Sequence, residues 1–406
     1  MKKLSLFIGV ILAATFPGWG QTTYSIENSV IITNGDCELT KTICILPVPL
    51  SNNYQHIEVL KIENAEILHT DKQSAYARQS NTAALPGKGE NAVFTERFNV
   101  TLYPMYIDFT QFRKIYPYKT SSALYKQYTC SDGNYIDTGN EKLLQQANRL
   151  WEESRGDIIG YARLCYHYVA ENFDYLNANT GLHPLSKLLA DGGGDCGNLS
   201  TLFVTLLRQK GIPARHIVTV RPDGSFHVWA DFYLEKYGWI PVDVTAKHDN
   251  PQGNFFGFCA GDGIVMSTDI CHIIEAEQGH PFPATLLQTY LWWYWCKAGK
   301  EISSAQEVKA TVIGQPDALS VTDIYPRSAV IRWKPFLNAC GYKVRLYEKG
   351  ELVKEMNLRE SETSLTLRKL NESTEYHLEL YPQRKVENII TYMWKQEVKF
   401  TTEKSQ

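Results

Sequence analysis

The sequence Gly192-Gly193-Gly194-Asp195-Cys196-Gly197-Asn198 joins a glycine-rich loop to a segment with helical spacing. Apolar residues follow at positions 199, 202, 203, 206 and 207, which predicts a helix with one buried face that ends before Gly211 and Pro213. Cys196 would lie at the N-terminus of this helix, where the helix dipole favours a negatively charged thiolate. A buried or disulfide-bonded cysteine in a glycine-rich turn fits these residues equally well.

Two predicted strands downstream carry a histidine and an aspartate. Residues 226–233 alternate as in a strand, and residues 239–245 form a second strand after a turn. In an antiparallel pair around that turn, His227 and Asp243 lie within a few residues of direct opposition. A carboxylate orients an imidazole, which can take the proton of a thiol and later return it. Cys196, His227 and Asp243 are therefore candidate catalytic residues, with a structural histidine and a turn aspartate as the alternative.

Three sequence blocks, in this order, resemble the core of the transglutaminase-like superfamily. They are Gly194-Asp195-Cys196-Gly197-Asn198, His227-Val228-Trp229-Ala230 and Gly238-Trp239-Ile240-Pro241-Val242-Asp243-Val244-Thr245. Gly211-Ile212-Pro213-Ala214-Arg215 links the first two blocks, and the resemblance runs from about residue 162 to residue 247. It implies a papain-like α+β core in which Cys196, His227 and Asp243 form the catalytic triad.

The resemblance also implies a reaction. The thiolate would attack an amide carbonyl of a protein or peptide, release an amine and leave a thioester, which water or a second amine resolves. The main-chain N–H of Cys196 would be one oxyanion donor. Tyr175 is a candidate for a second donor, with a place in the strand core as the alternative reading. Animal members depend on calcium, but this sequence contains no D-x-[DN]-x-[DN]-G loop that would bind it. We predict no cofactor and no metal.

The nine cysteines of the chain leave at least one unpaired if the others are bridged. Cys37 and Cys44 could close a small loop, although spacing alone does not determine connectivity. A zinc site could be built from Cys259, Cys271, His272 and His280. The sequence has no C-x-x-C pair, which argues against this site.

The N-terminus and the charge balance restrict the compartment and the partners. Residues 1–20 resemble a secretory signal peptide, because Lys2 and Lys3 precede a short apolar run. No stretch is long enough to span a membrane, and no cysteine follows the apolar run for lipid attachment. We expect a secreted or periplasmic protein. The net charge is 41 − 44 = −3, which argues against nucleic acid as the main partner.

Two β domains are predicted around the catalytic core. Short runs broken by turn residues predict an N-terminal β-sandwich at residues 21–130, followed by the catalytic domain at 131–312. The aromatic run at residues 291–296 is interpreted as a domain interface, with a substrate cleft wall as the alternative.

The last part of the chain, residues 313–406, resembles a fibronectin type III domain. The residues that carry this resemblance are Trp333 in an early strand and the corner formed by Leu370 and Tyr376. Such a module is a spacer, or a surface that binds protein or glycan. The predicted fold class is thus multidomain α+β, a papain-like transglutaminase core flanked by an N-terminal β-sandwich and a C-terminal fibronectin type III β-sandwich.

The leading functional hypothesis is an exported thiol enzyme that acts on a protein or peptide amide by acyl transfer or hydrolysis. One alternative is a cysteine peptidase or amidase acting on cell-wall or host peptides. The other is a non-catalytic binding or adhesion scaffold, which a disulfide at Cys196 would favour.

Overall fold

A computed structural model describes residues 21–178, 180–315 and 318–405. The predicted signal peptide at residues 1–20 lies outside this range. The fold is mostly β with some helices, and it confirms the predicted class. Within the described residues, no helix is both long enough and apolar enough to cross a membrane.

The elements follow one another along the chain in four groups. The first group is β1 (Thr22–Asn34), β2 (Leu39–Val48), β3 (Gln55–Ile62), β4 (Glu66–His69), β5 (Ala75–Asn81), β6 (Asn91–Leu102) and β7 (Met105–Ile107). The second group, after a short 3-10 helix (Phe109–Gln111), is α1 (Ala123–Thr129), α2 (Glu141–Glu153), α3 (Ile158–Asn172), β8 (Asp174–Tyr175), α4 (Leu185–Asp191), β9 (Gly193–Gly194), α5 (Cys196–Arg208), β10 (Ala214–Val220), β11 (Phe226–Leu234), β12 (Gly238–Val242), α6 (Val244–Asp249), β13 (Phe258–Cys259), β14 (Ile264–Thr268), β15 (His272–Glu277) and β16 (His280–Ala284). The third group is β17 (Leu291–Cys296) and β18 (Ile302–Gly314). The last group is β19 (Ser320–Tyr325), β20 (Ser328–Arg332), β21 (Gly341–Glu348), β22 (Glu351–Arg359), β23 (Ser364–Arg368), β24 (Glu375–Val386), β25 (Ile389–Tyr392) and β26 (Gln396–Thr401).

The N-terminal sandwich has two four-stranded sheets, with strand orders β18-β1-β6-β3 and β17-β2-β5-β4. Its core lies between the sheets and includes Val30, Leu46 and Phe94. Strand β17 and most of β18 lie within the range 131–312 that the sequence assigned to the catalytic domain. They pair instead with β2 and β1, because these strands would otherwise leave their backbone groups unpaired at the sheet edges. These two strands therefore belong to the sheets of the N-terminal sandwich, although the chain reaches them after the central core.

The aromatic run in β17 completes the sandwich. Trp292 packs at the margin of the inter-sheet core, and Trp293 packs on the other face of its sheet, edge to face with Phe282 at a ring distance of 5.1 Å. The interpretation of the run as a domain interface stays a prediction. Tyr294 and Trp295 remain exposed.

The central core packs helices on an antiparallel sheet of order β12-β11-β10-β14. Helix α5 lies against β10 and β11 and contacts α3, so almost every side chain of α5 is buried. The sequence predicted one buried face for this helix, whereas the helix packs against the sheet on one side and against neighbouring helices on the other. The helix begins at Cys196 and ends at Arg208, before the predicted stop at Gly211.

The C-terminal sandwich pairs a three-stranded sheet, β19-β20-β23, with a larger sheet that includes β21, β22, β24, β25 and β26. Trp333 and Leu370 are buried in its core. The hydroxyl of Tyr376 accepts a hydrogen bond from the backbone N–H of Asn371 at 2.8 Å, which is the corner expected of a fibronectin type III domain. The larger sheet continues outside this domain, because β25 pairs with β7, which pairs in turn with β13.

All nine cysteines are free thiols in the described residues. Cys44 is buried in the core of the N-terminal sandwich and forms no disulfide with Cys37. Burial, and then the nearby Cys296 thiol, raises the pKa of Cys37.

Candidate active site

Cys196 is the first residue of α5, and the preceding residue caps the helix. The carboxylate of Asp195 accepts hydrogen bonds from the backbone N–H of Asn198 at 3.1 Å and, with its second oxygen, from that of Gly181 at 2.9 Å. The first bond satisfies a helix donor that would otherwise lack a partner, and the second ties the loop at residue 181 to the helix start. The thiol therefore sits at a fixed position beside the positive end of the helix dipole.

The glycines before Cys196 are needed for the approach of two strands. Gly193 and Gly194 form β9, which pairs in parallel with β8. A Cβ atom on Gly193 would lie 2.0 Å from the carbonyl oxygen of Asp174, and one on Gly194 would lie 2.4 Å from the Cβ of Asn198. No side chain fits at either position, so the glycine loop lets β8 lie directly beside the cysteine loop.

His227 lies at the start of β11, opposite Thr219 of β10. Its backbone carbonyl accepts a hydrogen bond from the Thr219 hydroxyl at 2.9 Å. Its imidazole is almost entirely buried. The backbone position and the burial together restrict the ring to one orientation.

Asp243 follows β12 and caps α6. The last paired residues of β11 and β12 are Ala230 and Val242, so continuing this register places Asp243 two residues from the position opposite His227, which agrees with the predicted proximity. Its Oδ1 accepts from the backbone N–H of Ala246 at 2.9 Å, and its Oδ2 lies 2.7 Å from Nε2 of His227. Since Nε2 faces the aspartate, Nδ1 is the nitrogen left for the thiol of Cys196, which is near enough to raise the pKa of His227.

The electrostatics of the three residues favour an ion pair. Burial by itself lowers the pKa of His227, but the charge of Asp243, its hydrogen bond and the Cys196 contact outweigh burial and raise this pKa to about 10. Burial raises the pKa of Asp243, yet His227 and the N–H of Ala246 bring it below the ordinary value. Near neutral pH the site therefore holds an imidazolium between a carboxylate and the cysteine sulfur.

A cavity of about 170 Å³ lies beside the His227–Asp243 pair. Trp229, Phe255 and Phe258 give it apolar walls, and Arg221 and Asp262 line it as an ion pair with an N–O distance of 3.0 Å. The buried indole N–H of Trp229 has no hydrogen-bond partner within the described part of the chain.

The sequence analysis missed these walls, although one signal for them was present. Residues 255–258 read Phe-Phe-Gly-Phe, an aromatic cluster shortly after the candidate aspartate. Phe256 of this cluster is buried in the core, while Phe255 and Phe258 face the cavity. The place of Arg221 in the cavity could not be predicted, because nothing in the sequence distinguishes it from other arginines at strand ends.

Tyr175, the candidate second oxyanion donor, lies on β8 beside the glycine strand. Partial burial and then the negative charge of Cys196 raise its pKa, so the phenol keeps its proton at neutral pH. Tyr175 is thus close enough to Cys196 for the two groups to interact electrostatically. Its role as a donor stays a prediction.

The four residues considered for zinc do not converge in the part of the chain that is described. His272 is buried and bonded to Thr70 and to the carbonyl of Asp269, whereas His280 lies on the exposed strand β16. A separate group of His377, Glu379 and Glu397 has ligand atoms close together. The ammonium group of Lys395 pairs with both of these glutamates and already supplies their counter-charge.

Comparison with known proteins gives a domain assignment for two parts of the chain. The sequence model of the transglutaminase-like superfamily matches residues 144–244, and that of the fibronectin type III domain matches residues 314–399. Both resemblances stated from the sequence are thus confirmed. A protein of Haemophilus influenzae described as uncharacterized is 30% identical over 111 residues. The match covers 20% of this chain and 30% of that protein, so the chain spans less than a third of this relative.

Solved structures also resemble the chain. A crystal structure from Cytophaga hutchinsonii, named as a candidate cysteine protease, covers 73% of this chain and 92% of its own, at 15% identity and a TM-score of 0.49. The fibronectin type III domain of human contactin 1 matches 22% of this chain and 78% of its own, at 15% identity and a TM-score of 0.19.

Proposed function

We propose that this chain, with its transglutaminase-like domain at residues 144–244 and its fibronectin type III domain at residues 314–399, is an exported thiol enzyme that acts on a protein or peptide amide. The observation that carries the proposal is the buried His227–Asp243 pair, with 2.7 Å between Nε2 and Oδ2, close to Cys196 at the start of α5. The proposed export rests on the basic and apolar pattern of the first 20 residues.

In the first half of the reaction, the Cys196 thiolate attacks the amide carbonyl carbon and the carbonyl π electrons move to oxygen. The backbone N–H of Cys196 at the helix start donates to this oxyanion. When the tetrahedral intermediate collapses, the C–N bond breaks and the imidazolium of His227 gives its proton to the leaving amine. The products are a free amine, a thioester on Cys196 and a neutral imidazole.

In the second half, neutral His227 takes a proton from the incoming nucleophile as this attacks the thioester. An amine nucleophile gives a new amide, and water gives a carboxylic acid. The thiolate leaves, and the protonated imidazole restores the ion pair. Asp243 keeps its charge throughout, since its role is to hold the ring and to stabilise the imidazolium.

The test begins with the cysteine itself. Iodoacetamide should alkylate Cys196 selectively at pH 6.5, where an ordinary thiol with a pKa of about 8.5 is only about 1% thiolate. His227→Ala should slow this labelling, because the imidazolium that stabilises the thiolate is removed. Cys340→Ala, which removes an exposed thiol far from the triad, should leave the labelling rate unchanged.

Turnover is the second measurement. Release of amine from casein, with and without added hydroxylamine as acceptor, should be lost in Cys196→Ala while the far-UV circular dichroism is retained. Formation of hydroxamate would assign acyl transfer, and release of acid alone would assign hydrolysis. Turnover that persists in Cys196→Ala, or labelling of Cys196 no faster than that of Cys340, would refute the thiol mechanism and favour the scaffold.

A further inference from the structure

Two cysteines from distant parts of the chain meet at one end of the N-terminal sandwich. Cys37 lies in the loop between β1 and β2, and Cys296 is the last residue of β17. Strand β17 pairs with β2, so that Cys296 stands opposite Leu39. The catalytic core separates the two cysteines in the sequence, and the strand pairing brings the chain back beside Cys37.

The backbone pairing continues past the ends of these two strands. The N–H of Glu38 donates to the carbonyl of Ala298 at 2.8 Å. The chain then turns at Gly299, where a Cβ atom would lie 2.7 Å from the Cα of Cys37. The side chain of Cys296 points back into the same turn, with its sulfur 3.8 Å from the carbonyl oxygen of Gly299. Both cysteines therefore border one glycine.

Hydrogen bonds hold Cys37 against this turn. The side chain of Asn34 accepts from the backbone N–H of Cys37 at 2.8 Å and donates to its carbonyl at 3.0 Å. The carboxylate of Asp36 accepts from the backbone N–H groups of Lys300 at 2.8 Å and Glu301 at 2.7 Å. Because both segments are already ordered, a covalent bond between the two side chains costs little further conformational entropy.

The two thiols are close to each other but differ in exposure. The nearby Cys296 thiol contributes, after burial, to the raised pKa of Cys37. Cys37 is only 2% exposed, whereas Cys296 is exposed. A reagent in solution therefore meets the sulfur of Cys296 first, and Cys37 approaches that sulfur from inside the protein.

We propose that Cys37 and Cys296 form a disulfide bond in the exported protein, here called the clasp. The clasp fastens the loop after β1 to the end of β17, the strand that returns from the catalytic core. The inference rests on the proposed function in one respect, which is export, because disulfides form and persist in oxidising compartments outside the cytoplasm.

The oxidant is a molecule that itself carries a disulfide. The thiolate of Cys296 attacks one sulfur of this disulfide, and the other sulfur leaves as a thiol after it takes up a proton. The thiolate of Cys37 then attacks the sulfur of Cys296 in the mixed disulfide and releases the second thiol. Two protons and two electrons thus pass from the cysteines to the oxidant, which leaves as two thiols.

The first measurement identifies the bond. The full chain is expressed in a bacterial host, free thiols are blocked with N-ethylmaleimide, and the denatured protein is digested without reduction. Trypsin and chymotrypsin cut after Lys297 and Trp295, which isolates Cys296 for mass spectrometry. We expect a peptide pair joined through Cys37 and Cys296. N-ethylmaleimide on both residues, or a bond from either one to Cys44 or to a second copy of the chain, would overturn the inference.

The same spectra separate this failure from a failure of export. A chain that keeps residues 1–20 and remains in the cytoplasm would overturn the proposed export. The pairing is then tested on the purified chain with glutathione disulfide at about pH 8. A bond between Cys37 and Cys296 there would support the pairing, and free thiols there would overturn it. Alkylation of Cys196 by iodoacetamide tests the proposed thiol chemistry independently of the clasp.

The second measurement is thermal melting with and without dithiothreitol. The oxidised chain should melt about 5–10 °C above the reduced chain, because a bond between such distant residues restricts the unfolded chain. Cys296→Ser should melt at one temperature in both conditions. Cys130→Ser is the matched control, since Cys130 is also exposed but lies at the end of α1, and it should keep the wild-type difference. Equal melting temperatures of the oxidised and reduced wild-type chains would overturn the stabilising role of the clasp.

Discussion

The substitution Asp243→Asn removes a single charge from the candidate site while it retains the local structure. Asp243 both caps α6 and binds His227, through different carboxylate oxygens. Asparagine caps a helix about as well as aspartate does. The substitution therefore isolates the effect of the negative charge on the imidazole.

The size of the effect follows from the pKa of His227, which is about 10 against an ordinary 6.5. The difference of 3.5 corresponds to about 5 kcal/mol in favour of the imidazolium, at about 1.36 kcal/mol per pKa unit. Burial opposes this shift, and the charge of Asp243 is the largest contribution that overcomes it. Without that charge, burial has the greater effect, so we expect the pKa of His227 to fall by at least about 2.

The assay is an NMR titration of chains labelled at histidine Cε1, with His227→Gln used to assign the resonance. The wild-type midpoint should lie near 10, and that of Asp243→Asn should lie well below it. Asp262→Asn is the control, because this carboxylate lines the same cavity but pairs with Arg221. A wild-type midpoint near 6.5, or an unchanged midpoint in Asp243→Asn, would refute the ion-pair reasoning.

The same shift determines how stability depends on pH. A pKa raised in the folded state gives stability that is fully present below the unfolded value of about 6.5 and is lost as the pH rises through about 10. The difference in free energy of unfolding between wild type and Asp243→Asn should therefore be larger at pH 6 than at pH 9. A difference that grows with pH would contradict the assignment of the charge to His227.

Two further substitutions test the scaffold of the site. Gly193→Ala places a Cβ 2.0 Å from the carbonyl oxygen of Asp174, so it should displace the cysteine loop and slow turnover by about 100-fold, measured as amine release from casein. Asp269→Ala removes the carboxylate that lies 3.0 Å from the buried guanidinium of Arg208. The free energy of unfolding, measured with urea, should fall by about 3–5 kcal/mol. A fall of less than about 1 kcal/mol would show that other acceptors satisfy Arg208.

The candidate triad could be predicted because each of its parts is encoded locally. Helical spacing placed Cys196 at a helix start, and strand alternation around one tight turn placed His227 near Asp243. A turn of a few residues allows only small errors in register, and the observed offset of two residues lies within them. The pattern did not say which imidazole nitrogen faces which partner, because that depends on the side-chain angles.

Pairings between distant segments could not be predicted in the same way. Strand β18 pairs with β1, although nearly the whole catalytic core separates them in the sequence. The alternation in β18 specifies a strand but not its partner, so the sequence assigned this segment to the preceding domain. The same limit concealed the pairing of β7 with β25, which joins the C-terminal sheet to β7 and β13.

The long-range pairings also change the interpretation of the C-terminal module. Tyr103, which precedes β7, is buried in the core of the fibronectin type III domain, where Arg384 lies 3.6 Å from its ring centre and Asn338 donates to its hydroxyl at 2.7 Å. In the other direction, Val386 and Ile389 of that domain are buried in the catalytic core. The C-terminal domain thus takes Tyr103 of the N-terminal part into its core and places two of its own residues in the central core. A spacer joined by a flexible linker would bury neither set. The C-terminal domain is therefore packed into the rest of the chain through shared core residues.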